Sequence, residues 1–204
     1  MRPSPLSHAA STPDAAAEVL RFWFGPADVD RPEWFHKSAA FDAEIDLCFG
    51  MEVEAALHGR LDAWRRTLDG SLALVILLDQ FTRNIHRGAP QAFAGDAQAL
   101  AIARELVEQG RDTRLPLRRR SFLYLPFEHA EDRAAQEESV RLYTALAAEG
   151  AGPQSEALAR TLDYAVRHRD IVARFGRFPH RNEVLGRAST AEEIEFLKQP
   201  GSRF

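Results

Sequence analysis

Apolar residues in this chain recur three and four positions apart, and no segment alternates apolar and polar residues for long enough to argue a strand. That spacing lays an apolar stripe along a succession of helices, so the chain is predicted to be all-α. Gly and Pro punctuate the pattern. The run Ala15–Phe24, for which Asp14 can supply the cap, stops at Gly25-Pro26, and an aromatic connector over Pro32–Lys37 follows. Ser38 opens a helix with Phe41, Ile45, Cys48, Phe49 and Val53 on one face, which points Cys48 into the core as a small apolar residue. Gly70-Ser71 starts a central helix from Leu72 to about Arg87, and Asp96 caps the next as far as Gly110. A helix begun at Pro116 is interrupted by Pro126. Helices over 132–149 and 155–175, a loop over 177–187 and a last helix opened by the capping box Thr190–Glu193 complete the pattern. Connectors this short make neighbouring helices antiparallel. The expected organisation is a disordered leader over 1–13, marked by three prolines, and a single all-helical domain over 14–204.

Composition narrows the function classes. A single Cys among 204 residues excludes an internal disulfide framework and a multi-Cys zinc site. The longest apolar run, Leu72–Leu78, falls far short of the ~20 residues a membrane span needs. No export signal is evident near the start, so a soluble cytoplasmic protein with no membrane association is expected. A net charge of −4 offers no whole-molecule field for nucleic acid or anionic lipid, and the triplet Arg118–Arg120 is too short to change that. No P-loop, dinucleotide fingerprint or nucleophile elbow occurs. His168-Arg169-Asp170 resembles a kinase catalytic-loop fragment, but Phe175 stands where that loop needs Asn. One skew remains: 24 Arg against 2 Lys. Arg grips carboxylate or phosphate bidentately where Lys does not.

Three constellations put polar residues among core-facing ones. On the central helix Asp79, Arg83 and Arg87 form an i, i+4, i+8 line flanked by Gln80 and Asn84, either a salt-bridged solvated face or a buried network. On the 132–149 helix Asp132, Gln136 and Ser139 share a face, and His129 joins it if that helix extends backward. There His129 could act as acid, base or ligand with Glu131 or Asp132 orienting it, or the set could be a hydrogen-bond network that fixes register. His129, Glu131 and Asp132 make a poor metal set, because two-residue spacing splits ligands between helix faces, and no metal site is assigned. On the 155–175 helix His168 falls among Tyr164, Ile171 and Val172, and the following loop packs Arg174, Arg177, His180, Arg181 and Asn182 around Gly176 and Pro179. The segment Arg160–Arg187 carries seven Arg against Asp163, Asp170 and Glu183, while 128–149 carries six acids against Arg133 and Arg141. A basic helix is therefore predicted to abut an acidic one.

Four ordered motifs carry a resemblance: Leu78-Asp-Gln-Phe-Thr-Arg-Asn-Ile-His-Arg-Gly88, Phe122-Leu-Tyr-Leu-Pro-Phe-Glu-His-Ala-Glu-Asp132, Gln136-Glu-Glu-Ser-Val140 and His168-Arg-Asp-Ile-Val-Ala-Arg-Phe-Gly-Arg-Phe-Pro-His-Arg-Asn182. From about Val19 to the C-terminus the chain resembles the bacterial family catalogued as domain of unknown function 924. The resemblance implies a tetratricopeptide-like array of helix pairs and brings no activity or cofactor with it. It carries over Asp79, Gln80, Arg83, Asn84, Arg87, His129, Glu131, Asp132, Gln136, Ser139, His168, Asp170, Arg177, His180, Arg181 and Asn182. Thr82, often Pro in the family, and Ala130, often Ser, depart from the pattern without removing an ionisable group.

Two functions follow from these residues. In the first, a pocket between helices holds a small carboxylate or phosphate, gripped by Arg83, Arg87, Arg177 and Arg181 with Asp79, Gln80, Asn84, Gln136, Ser139 and Asn182 lining it. His129, Glu131, Asp132, His168 and His180 are then the groups that handle protons. In the second, the helical array is an interaction module that holds a peptide or protein tail without catalysis. The same polar set could also be an internal network. The cofactor, the oligomeric state and whether the protein is an enzyme stay open at the level of sequence.

Overall fold

Four helices in this chain start where a side chain takes up the first free N–H groups. Ser38 Oγ accepts from the Phe41 N–H at 3.2 Å, Thr67 Oγ1 from Gly70 at 3.0 Å and Asp132 Oδ1 from Ala135 at 2.8 Å. Thr190 and Glu193 close the full capping box, with Thr190 N–H donating to Glu193 Oε2 at 2.7 Å and Glu193 N–H to Thr190 Oγ1 at 3.2 Å. The computed structural model describes residues 12–25, 31–34 and 36–203. Residues 1–11 of the expected leader, Pro26 and Phe35 lie outside them.

The elements are α1 (Thr12–Phe24), α2 (Ala39–Leu57), α3 (Leu68–Val75), α4 (Thr82–Ile85), α5 (Asp96–Glu108), α6 (Leu117–His129), α7 (Arg133–Glu149), α8 (Pro153–Phe175) and α9 (Ala191–Phe196), with short 3₁₀ turns between several of them. No strand occurs among the described residues, and the chain is all-α. Between α3 and α4 the helix runs on without a break, but Ile76–Phe81 is π-helical. Every residue from Gly70 to Asp79 is buried, so this continuous helix is the axis on which α1, α2 and α5 pack. Phe81 fixes it in an aromatic core, 5.5 Å from Trp23 and 5.1 Å from Phe49 between ring centres. From α6 to α8 each helix packs on the one before it, α7 and α8 through turns at 130–132 and 150–152, too short for anything but antiparallel neighbours and compatible with tetratricopeptide-like pairing. A small satellite core of Ile171, Val172 and Phe178, with Phe175 and Phe196 against it, docks the C-terminal segment on the end of α8.

Several boundaries differ from the sequence reading. Helix α1 is already under way at Thr12, α3 starts at Leu68 on the Thr67 cap, and Gly95 rather than Asp96 is the residue before α5. Pro126 does not interrupt α6, which continues to His129. Cys48 is exposed, as are Leu47 and Met51, because Phe41, Ile45, Phe49 and Val53 at strict four-residue steps already fill the inner face of α2. Cys48 sits one residue off that line, about 100° round the helix.

Candidate functional site

The π-helical turn sets the geometry of the polar cluster. Widening the helix rotates the following residues relative to α3, and isolated π turns recur where a helix must aim a side chain. Leu77 O accepts both the Thr82 N–H and the Thr82 hydroxyl, the latter at 2.8 Å, so the wide turn is satisfied from within. Gly95 lies hard against it: a Cβ there would stand 2.2 Å from Leu78 O. That close approach brings the first turn of α5, and with it Asp96, alongside Arg83.

Asp79, inside the π turn, is wholly buried. Its Oδ1 accepts from Arg83 Nη1 at 2.9 Å and from His129 Nδ1, at the end of α6, at 2.8 Å. Its Oδ2 accepts from Gln80 Nε2 at 2.5 Å. Arg83 also donates to the Asp79 backbone carbonyl at 2.8 Å and, through Nη2, to Asp96 Oδ2 at 3.0 Å. Arg181, from the loop after α8, reaches the same Asp96 oxygen through Nη1 at 3.4 Å. The Arg181 guanidinium packs against the rings of Phe93 and Phe178 at 4.7 and 4.6 Å.

Charge in this cluster follows from burial and pairing. Burial alone would raise the Asp79 carboxyl, but Arg83, His129 and Gln80 outweigh it and hold the carboxyl far below the ordinary range. Burial lowers His129, with Arg83 adding to the effect and Asp79 opposing it, so the imidazole is neutral at pH 7. A neutral ring that donates from Nδ1 to a carboxylate carries its lone pair on Nε2. Burial raises the Asp96 carboxyl against the pull of Arg83. Burial, followed by repulsion from Arg83, lowers Arg181 to about 10. Arg83, Asp96 and His129 meet solvent with 19, 22 and 16% of their side-chain surface, whereas Arg181 is deeper at 7%.

Beneath His129 lies a neutral layer. The His168 ring is 6.3 Å from that of His129, donates from Nδ1 to Tyr164 O at 2.8 Å and stands 3.3 Å from Glu128 Oε1. Burial pushes Glu128 up to about 8, helped by Asp79, and pushes His168 down to about 3. The Glu128–His168 contact is therefore between an uncharged acid and an uncharged imidazole, not an ion pair. His180, whose ring is 5.7 Å from Phe178, is lowered by burial and by Arg181 to about 4.

The other residues singled out in the sequence lie in separate clusters. Asn84 and Arg87 turn to Asp42 on α2, with Asn84 Nδ2 at 2.7 Å and Arg87 bidentate at 2.7 and 2.8 Å. The i, i+4, i+8 line thus breaks after Arg83. Glu131 accepts from Arg187 at 2.5 and 2.8 Å and from the Phe178 N–H at 2.7 Å, which ties the loop after α8 to the end of α6. Asp132 caps α7 and is exposed, so His129 belongs to α6 and does not extend the α7 stripe. Gln136 Nε2 serves the carbonyls of Phe127, Glu128 and Ala130, closing the end of α6, while the buried Ser139 Oγ finds no hydrogen-bond partner among the described residues. Arg177 clamps Glu193 at 2.7 and 2.8 Å, a pairing that with the Thr190 N–H holds that carboxyl down to about 2. Asn182 donates to Ser189 at 3.0 Å and to Glu193 at 3.3 Å. Between the acidic stretch 128–149 and the basic stretch 160–187 the Glu131–Arg187 pair forms, together with a 4.0 Å Arg169–Glu137 contact.

Sequence reasoning passed over Asp96, Glu128 and Phe93. Asp96 read as a helix cap because it follows Gly95. Glu128 carried a usable signal, an acid directly after the apolar run Phe122–Phe127. Among the described residues no three His, Cys, Asp or Glu side chains are placed to hold one metal ion, and no helix is long and apolar enough to cross a membrane. A cavity of about 270 Å³ lies away from the cluster, between Trp34, Phe122, Leu158 and Tyr164, and another of about 470 Å³ lies beside Arg104, Asp132 and Glu138.

A family model described as bacterial protein of unknown function (DUF924) matches residues 19–201. The chain is also similar to a solved structure of a protein of unknown function from Agrobacterium tumefaciens, at 41% sequence identity and a TM-score of 0.81, covering 92% of this chain and 98% of that one. No curated protein matches.

Proposed function

Since the chain belongs to the bacterial DUF924 family, which brings no activity with it, we propose from the geometry that the cluster of Asp79, Arg83, His129 and Arg181 binds a small anion, carboxylate or phosphate, and that His129 accepts a proton from it or beside it. One observation carries the reading: a wholly buried Asp79 oxygen holds both a guanidinium and the Nδ1–H of a neutral imidazole. Asp79 thereby fixes the tautomer and orientation of His129, leaving Nε2 as a base, and Arg83 supplies positive charge at the same place. The pairing is that of an oriented acid–base group beside an anion anchor. Asp96 lies between the two arginines and pairs with both.

A thermal-shift series with sodium acetate, phosphate and sulfate at constant ionic strength tests it. The expected result is a saturable rise in Tm for at least one anion, abolished in Arg83→Ala and retained in His129→Gln, which keeps a hydrogen bond to Asp79 but cannot accept the proton. Circular dichroism of both variants checks that they fold. A flat response across all three anions with folded protein would refute the reading and leave the peptide-holding module.

A further inference from the structure

The two arginines differ in how many donors they have to spare. Arg83 spends Nη1 on Asp79 and Nη2 on Asp96. Among the described residues Arg181 makes a single hydrogen bond, Nη1 to Asp96 at 3.4 Å, and its buried Nε finds no hydrogen-bond partner. A guanidinium carries five N–H donors in a planar fork, and a buried donor left unmade costs free energy. The edge formed by Nε and Nη2, two parallel N–H bonds pointing the same way, is the edge that accepts a carboxylate side-on. The Phe93 and Phe178 rings lie against the guanidinium carbon at 4.7 and 4.6 Å, apolar surroundings in which such a bond is stronger than in water.

Formal charge selects among anions. Asp79 and Asp96 balance Arg83 and Arg181, with His129, His168 and Glu128 neutral at pH 7, so the cluster sums to zero. Glu131 and Arg187, next outward, cancel each other. A dianion would bring two uncompensated charges into this poorly hydrated place, and a monoanion one. The walls of Phe93 and Phe178 further favour an anion that carries carbon over a bare oxyanion.

We infer that the ligand of this site is an organic monocarboxylate, held side-on by the Nε–Nη2 edge of Arg181 between Phe93 and Phe178. The inference rests on the proposed anion site and commits it to one chemistry and one recognising residue.

The experiment is a titration of the full chain, uniformly labelled with ¹⁵N, with acetate, benzoate and sulfate at pH 7, following the arginine Nε–Hε resonances. The Arg181 signal, assigned by its loss in Arg181→Lys, is expected to move saturably with acetate and benzoate. Sulfate, a dianion at that pH, is expected to bind at least tenfold more weakly. Lys keeps the charge and loses the fork, so Arg181→Lys is expected to weaken carboxylate binding tenfold or more; should that variant unfold, assignment by through-bond experiments on the wild type replaces it. Sulfate binding as tightly as acetate, or carboxylates binding without moving the Arg181 resonance, would overturn the carboxylate assignment while leaving an anion site. Binding of none of the three would overturn both.

Discussion

Asp79→Asn removes the charge at the centre of the polar cluster with almost no change of shape. The carboxylate has no solvent exposure and serves Arg83, His129 and Gln80 at 2.9, 2.8 and 2.5 Å. The amide keeps one acceptor oxygen and turns an NH₂ toward groups that themselves donate. Removing one partner of a buried ion pair costs about 3–5 kcal/mol, because the other charge stays buried. Arg83 keeps Asp96 and is 19% exposed, which puts the loss near the lower end, about 3 kcal/mol. For a domain of this size each kcal/mol is worth about 2–4 °C, so Tm should fall by about 6–12 °C at pH 7. The sign of the pH dependence is fixed by the lowered acidity constant. A carboxylate held below its unfolded value near 3.9 contributes fully above that pH and loses its contribution as pH falls further. The deficit of the variant is therefore expected to be constant between pH 5 and 7 and to shrink below pH 4. Urea unfolding of both proteins at several pH values measures it. A deficit under ~1 kcal/mol at pH 7, or one that grows as pH falls, would refute the assignment of Asp79 as the buried charge on which the cluster depends.

Three further outcomes are expected. Glu128, raised by burial to about 8 from an unfolded value of about 4.3, costs the fold nothing below pH 4 and progressively more as pH rises to 8, so Glu128→Gln should match the wild type at pH 4 and exceed it by about 5 kcal/mol at pH 9 in chemical denaturation. Gly95→Ala drives a Cβ to 2.2 Å from Leu78 O, and calorimetry should show a loss of about 1–3 kcal/mol together with weaker anion binding as Asp96 is pushed from Arg83. Arg87→Ala breaks the bidentate pair with Asp42 at a surface where Arg87 is 40% exposed, and should cost no more than ~1 kcal/mol with anion binding unchanged.

Much of the helical framework was legible in the sequence because caps are local chemistry. Ser38, Asp132 and the Thr190–Glu193 box each mark a helix start, and no tertiary contact is needed to see them. The π turn was not legible. Periodicity at 3.6 residues places Asp79, Arg83 and Arg87 on one line, but a wide turn over Ile76–Phe81 and the end of α4 at Ile85 send Arg87 outward to Asp42. Cys48 failed for a related reason: a helix with more apolar residues than its inner face can hold must expose some, and only packing decides which. Pro126 misled because the loss of one N–H does not end a helix held between α5 and α7. Within the polar set, residue types that bind carboxylate are the same whether the carboxylate is Glu193, Asp42 or a ligand. Arg177 and Arg181 look alike in sequence. In the structure Arg177 is fully engaged by Glu193, whereas Arg181 has donors to spare.

The state of His129 tests the central claim most directly. Long-range ¹H–¹⁵N correlation spectra of the histidine rings, recorded at pH 7 with and without acetate, read its protonation and tautomer. The expected spectrum shows a neutral ring protonated at Nδ1, with an Nε2 resonance that moves saturably as acetate is added. A ring already protonated at pH 7, or an Nε2 resonance unmoved by acetate or phosphate, would contradict the reading of this cluster as a base beside an anion anchor.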